Sequence, residues 1–363
     1  MTDIKNLASM PAYLLFFYTI LIGSIFSGCI EPNTEDLWSI SVDQTLQTNG
    51  YARDVTIDND IIFVAAGEAG AQIWKLNNSN NPSLLNSLSL DEIGSHKEIS
   101  QIHYSPINDL LHLLETNERP YALELNDSTF DIKINFGQYG AEDTREFVVI
   151  DDSSDTFTYY SVVKSSHDLK WQKLEKDFWG TDSTPLFNIL FGDPGEVNVN
   201  ALPSSISLFD TTIIVGVGQL GLQKWNIENF ESDPVYNYSI DLEGIVQSVE
   251  LIDRNNLYVS SGSYGAFYLP LDEMEVDADN NVINHDAIIH FAQDLTVDHI
   301  SINNGIAVLS LGSKGIALYD ITDPSSPIEK GIFPVGYVYK SEFWGEKLLV
   351  CSREGLQILS IEQ

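Results

Sequence analysis

The 363-residue sequence predicts an all-β fold, a seven-bladed β-propeller of four-stranded antiparallel blades, and three observations predict it. Apolar residues alternate with polar ones at period two, with β-branched enrichment and no sustained 3.6-residue period. Between Arg53 and the C-terminus one unit recurs seven times: strand, polar pair, strand, small-residue turn, strand. Its turn residues Gly70, Pro120, Asp168, Gly221, Gly265, Gly315 and Gly355 fall about 40 to 50 positions apart, the period of propeller blades rather than of helical solenoids.

Each blade follows from its copy of the unit. The first places strands at 55–57, 61–65 and 71–76 around a turn at 67–70, with a fourth strand near 83–90. Two degenerate copies, at 99–125 and 147–174, lack the paired turn glycines but keep the period. Regular copies resume at 206–226, 249–271, 300–321 and 342–361, and three more fourth strands fit 235–241, 287–291 and 328–333. After the seventh third strand the chain stops at Gln363, whereas residues 37–42 form a strand without a partner at the other end. That strand is expected to complete the last blade, closing the ring and removing an open sheet edge. Helices should be few.

Residues Gly315-Ile316-Ala317-Leu318-Tyr319-Asp320-Ile321-Thr322-Asp323-Pro324-Ser325-Ser326-Pro327 resemble the central segment of LVIVD repeats, found in bacterial and archaeal surface propellers. Residues 52–76, ending at Pro82, are similar to it, and the second and third copies share only its period. The resemblance covers residues 38–363 and implies a fold, with no catalytic residues to transfer.

The N-terminus carries a second signal. Lys5 precedes an apolar run at 13–26, shorter than the roughly 20 residues needed to span a bilayer as a helix and suited to a cleaved export signal. Phe26-Ser27-Gly28-Cys29 resembles the lipobox of bacterial lipoproteins, with Phe26 in place of the usual Leu. The resemblance implies a signal peptide at 1–28, a lipid on Cys29 that anchors the protein to a membrane, and a tether at 29–37. Ile30, rather than Asp, after the cysteine points to the outer membrane of a bacterial cell envelope. Cys351, the only other cysteine, sits in a predicted strand and is expected to be a buried thiol, with no disulfide.

The charge balance excludes some partners. With 53 acidic and 18 basic residues the net charge is −35, a field that repels nucleic acid. The few cations are unevenly placed. Four of the five arginines, Arg53, Arg119, Arg145 and Arg353, fall with Lys97, Lys314 and Lys340 on turns and links expected to gather on one face around the channel. Arginine suits bidentate recognition of carboxylate or phosphate, so these positions form a candidate site for a small anionic ligand or an acidic chain end. Internal pairing with Glu68, Glu118 and Glu354 is the competing role. Tyr51, Tyr264, Tyr339 and Trp344 lie in or beside the same loops as possible contact anchors, whereas Trp74, Trp171 and Trp225 occupy equivalent third-strand positions and should pack between blades.

Motifs for chemistry are sparse. Asp277-Ala278-Asp279-Asn280-Asn281 begins like a calcium loop, but Val282 stands in place of the required Gly and Ile288 in place of the bidentate Glu, so a hairpin turn is expected. Gly216 to Gly221 spells GxGxxG between two strands, with no helix to hold a phosphate. There is no GxSxG elbow, P-loop, HExxH or Cys/His cluster. The sequence implies no cofactor and no metal. The expected protein is a monomeric envelope lipoprotein that binds an envelope or extracellular protein, or a small anion, through its loop face. The alternative is a hydrolase or lyase acting on glycans or phosphoesters with paired carboxylates at the channel mouth.

Overall fold

A computed structural model describes residues 37–76, 82–179, 183–190, 195–228 and 233–363. The expected signal segment, Cys29 and the tether as far as residue 36 lie outside the described residues. Residues 38–363 form one compact unit of seven antiparallel sheets.

The blades follow one another in chain order. Blade 1 comprises β2 (Asp54–Asp58), β3 (Ile61–Ala65), β4 (Ala71–Lys75) and β5 (Ser83–Leu88); blade 2 comprises β6 (Ile99–Ser105), β7 (Leu110–Glu115), β8 (Pro120–Leu125) and β9 (Ile132–Gln138). Blade 3 has β10 (Thr144–Asp151), β11 (Thr156–Val163), β12 (Asp168–Trp179), β13 (Thr184–Ile189) and a fifth strand, β14 (Gly195–Asn198). Blade 4 has β15 (Ser205–Phe209), β16 (Thr212–Gly216), β17 (Leu222–Asn226) and β18 (Val235–Ile240). Blade 5 has β19 (Ser248–Leu251), β20 (Asn256–Ser260), β21 (Ala266–Pro270) and β22 (Ile289–Phe291). Blade 6 has β23 (His299–Asn303), β24 (Ile306–Ser310), β25 (Ile316–Asp320) and β26 (Ile328–Phe333). Blade 7 joins β27 (Val338–Trp344), β28 (Lys347–Ser352) and β29 (Gly355–Glu362) to β1 (Ser39–Leu46).

Ring closure is therefore as the sequence implies. Strand β1 pairs antiparallel with β29, Ile40 opposite Ile361 and Leu46 opposite Leu356. Its bounds lie later than expected, because the segment after Val42 bulges at Asp43 and runs on to bury Leu46 against Leu356 and Ile358. The polar residues in that stretch face solvent on an outermost strand.

Apolar residues fill seven layers, one between each pair of neighbouring blades. Phe63, Ile73 and Leu88 of blade 1 meet Ile102, Leu111 and Leu123 of blade 2. Leu318 of blade 6 meets Val338, Leu348 and Leu359 of blade 7. Strands β7, β16 and β21 are buried at every position, which explains the apolar runs of β16 and β21 and leaves His112 and Glu115 of β7 buried as well.

The recurring turn glycine has a steric cause. At Gly315 φ is +87°, and an added Cβ would lie 2.1 Å from the Phe333 carbonyl oxygen at the end of β26. Gly70 repeats this against the Leu88 oxygen at the end of β5. Only glycine lets the third strand start this close to the end of the fourth.

Three elements escape the repeat. Strand β9 was not legible, being interrupted by Gly137 at positive φ and shifted twice in register against β8. Strand β12 runs for 12 residues and, besides β11 on its inner edge, takes two partners on its outer edge, β14 at Asp168–Trp171 and β13 at Leu174–Trp179. One short helix, α1 (Leu90–Ile93), is set by a capping box in which Ser89 accepts from the Glu92 N–H and the Glu92 carboxylate accepts from the Ser89 N–H.

Candidate functional site

First strands of all seven blades surround a central channel. One register position per blade carries a polar side chain: Asp54, Gln101, Glu146, Ser205, Ser248, His299 and Lys340. In each of the first six blades the next residue turns away into an interblade layer, as with Val55, Ile102, Phe147, Ile206, Val249 and Ile300. This alternation aims the polar set at the axis.

These side chains bind the blades to one another. The Asp54 carboxylate accepts the Val55 N–H and, across the blade boundary, the Ile102 N–H, both at 2.9 Å. Gln101 donates to the Phe147 carbonyl at 2.9 Å and accepts its N–H at 3.3 Å. Glu146 accepts the Ile206 N–H at 2.9 Å, Ser205 the Val249 N–H at 3.2 Å, and Ser248 the Ile300 N–H at 3.2 Å. Between blades 6 and 7 the hydroxyls of Ser301 and Ser341 meet at 3.0 Å. Lys340 closes the circle, its Nζ 2.7 Å from Asp54 Oδ1. The result is a polar belt in which every member except His299 satisfies a backbone or side-chain group of the next blade, the Ser301–Ser341 pair making the link between blades 6 and 7.

Two cavities adjoin the belt, and Asp54, Gln101, Glu146, Ser248, His299 and Lys340 line both. The lower chamber, about 650 Å³, adds Thr56, His103, Ser207, Glu250 and Glu342, and ends on an apolar rim of Ile57, Val149, Leu208, Phe343 and Trp344. The upper mouth, about 380 Å³, adds Arg53, Asn117, Arg145, Gln247, Asp298 and Tyr339.

Carboxylates outnumber cations in this space, and their titration reflects it. Burial lowers the charged form of Lys340, but Asp54, Glu342 and Glu146 outweigh it and hold the ammonium above its ordinary value. Burial raises Glu146 against the bonds from Ser205 and Ile206 that favour its charge. Glu342 is likewise raised by burial, against the pull of Lys340. Glu250, raised by burial and then by repulsion from Glu342, reaches about 8 and holds its proton at neutral pH. His299 is held well below its ordinary value by burial and by Lys340, and remains neutral.

The residues singled out in the sequence divide into three groups. Arg53, Arg145 and Tyr339 meet at the upper mouth. Lys340 lies deeper, in the belt. Arg119 is half-buried and pairs with Glu142 at 2.8 Å, while Lys314 and Tyr264 stand exposed on turns of blades 6 and 5. Of the internal partners expected for the cations, Glu118 holds Lys97, whereas Arg53 chooses Glu98 at 2.7 Å.

Tyrosines hold the remaining arginine. The Arg353 guanidinium lies 4.0 Å from the ring centre of Tyr337 and its Nε donates to the Tyr339 hydroxyl at 3.2 Å. Arg53 lies 4.2 Å from the Tyr339 ring, and Tyr51 flanks both guanidiniums. Arg353 is exposed and has no carboxylate partner among the described residues. Two arginines and three tyrosines thus form one platform where blades 7 and 1 meet.

Cys351 is a free, fully buried thiol. The 277–281 segment is a hairpin turn: Asp277 accepts the N–H groups of Asp279 and Asn281, and Val276 bridges Val282. No group of three His, Cys, Asp or Glu able to hold a metal occurs among the described residues.

Comparison with known proteins adds the fold and nothing finer. No family model matches the sequence, and no curated protein matches it. Among solved structures it is similar to the WD40 repeats of RRP9, with a TM-score of 0.62 and 12% identity over 89% of this chain and 97% of that one. The WD40 propeller domain of Doa1 gives a TM-score of 0.61 at 11% identity, covering 89% and 97%. The computationally designed Ika8 protein gives 0.58 at 9%, covering 87% and 98%. The chain is a seven-bladed β-propeller.

Proposed function

We propose that this protein is a non-catalytic binding or assembly module, held at a bacterial cell envelope by a lipid on Cys29, and that it engages an acidic segment of a partner through its upper face. The observation that carries the reading is the Arg53–Arg353–tyrosine platform. An exposed guanidinium held over a tyrosine ring keeps its outer N–H groups for a carboxylate, and the rings supply contact area of low conformational entropy. The competing structural role is weakened at Arg353, which no acidic side chain neutralises among the described residues. The anchor is supported by the resemblance of residues 26–29 to a lipobox and by their position after the apolar run.

The test is capture of envelope proteins by immobilised full-length chain beside the Arg53→Glu, Arg353→Glu double variant. Loss of a band with the variant supports the platform; an identical set of bands discards it. Separately, Cys29→Ser should move the protein out of the membrane fraction, and unchanged fractionation would remove the anchor.

A hydrolase or lyase of glycans or phosphoesters is the second reading, supported by Glu250, a carboxyl that retains its proton at neutral pH beside Glu342. Release of nitrophenol from aryl glycosides or phosphodiesters by the wild type, absent in Glu250→Gln, would favour it; no release would end it.

A further inference from the structure

Glu250 and Glu342 stand apart from the belt that occupies the other acidic groups of the channel. Asp54 and Glu146 each accept backbone N–H groups from a neighbouring blade, and Lys340 is committed to Asp54. Glu250 lies deep in the ring, lines the lower chamber, and has no hydrogen-bond or ion-pair partner among the described residues. Glu342 shares the chamber and repels it. His299, also on the wall, leaves its Nδ1 buried without a partner. Glu250 is half-buried with its carboxyl open to the chamber, and together with the orphaned Nδ1 of His299 it leaves an interaction for a molecule entering the chamber to supply.

The required partner is a cation, since the chamber wall contains four carboxylic acids, Asp54, Glu146, Glu250 and Glu342, and a single ammonium, Lys340. A metal ion is disfavoured because no three ligating side chains converge among the described residues. An ammonium group on an apolar stem fits both ends of the chamber. Its head would meet Glu250 and Glu342, and its stem would lie along Leu208, Phe343 and Trp344. We infer that the lower chamber is a binding site for a primary ammonium on an aliphatic stem, with Glu250 and Glu342 as its counter-ions.

Binding and protonation are then linked. The groups facing Glu250 are Glu342, Glu146 and Lys340, with Asp54, His103 and His299 on the remaining wall. Near pH 7 Glu250 carries a proton, and the incoming ammonium must displace it. Affinity therefore rises with pH, by up to about tenfold per pH unit, and levels off above about 8.

Titration calorimetry of full-length protein with hexylammonium tests this, in buffers of different ionisation enthalpy from pH 6.5 to 8.5. Saturable binding with release of up to one proton is expected, with at least tenfold weaker affinity and no pH dependence in Glu250→Gln. Glu342→Gln serves as a second variant and should also weaken binding. A lysine-bearing peptide run in parallel distinguishes the source: peptide binding means a partner's side chain is taken, hexylammonium alone means a free amine. Absence of saturable binding by either probe, or affinities unchanged in both variants, overturns the inference. The upper-face arginine variant should bind hexylammonium normally, so failure of this site and failure of the platform are distinguishable.

Discussion

Replacing Lys340 with methionine removes the ammonium that closes the polar belt while keeping most of the side chain's volume. Asp54 retains its two backbone N–H donors, but its charge and those of Glu146 and Glu342 lose their shared counter-ion. Removing one partner of a buried pair costs about 3–5 kcal/mol. The Asp54 side chain is 5% exposed, but that of Lys340 is 27% exposed to the channel, where water offsets part of the penalty. A loss of about 2–3 kcal/mol at pH 7 is expected. The deficit should narrow as pH falls towards 5, because Glu146 and Glu342, already raised by burial, take up protons and cease to need the ammonium. Urea unfolding followed by tryptophan fluorescence at several pH values measures both quantities. A variant within about 0.5 kcal/mol of wild type at pH 7, or a deficit that widens in acid, would refute the belt as an electrostatic closure.

Three further outcomes follow from the same geometry. Gly315→Ala should cost at least about 2 kcal/mol in urea unfolding, since its φ of +87° and the Phe333 oxygen leave no room for a methyl group. Leu46→Ala should cost about 2–4 kcal/mol, measured in the same way, because Leu46 is the buried end of the closing strand. His112 is held neutral by burial, with its Nδ1 against the Tyr139 hydroxyl at 2.8 Å. Its folded pKa lies below the unfolded one, so stability is intact above about 6.5 and falls as pH drops below it, by up to about 1.4 kcal/mol per pH unit. His112→Gln should lack this component, and its urea midpoint should gain on wild type between pH 6.5 and 5.5; parallel profiles would contradict the assignment.

Strands were legible wherever a local rule was strong. Blades 1, 4, 5, 6 and 7 carry a glycine that the adjacent fourth strand makes obligatory, and that steric demand appears directly in the sequence. Strands β9, β13 and β14 obey no such rule, since they are outermost and half exposed. The belt leaves only a trace in the sequence: each first strand has a polar residue at the same register, as in Asp54-Val55, Gln101-Ile102 and Ser248-Val249. Lys340 lies in the belt rather than on the loop face, because it stands inside β27 with its side chain directed at the axis.

The number of blades, the closing strand and the acidic character can be read along the chain, because alternation, turn sterics and charge are properties of neighbouring residues. Which polar groups are consumed in holding the ring, and which are left over, emerges from the folded ring alone. Asp54, Glu146, Glu250 and the Lys340/Glu342 pair are separated from one another by about ninety residues or more and share no motif. Their energies arise from burial and mutual field, and these exist only once seven strands face one axis.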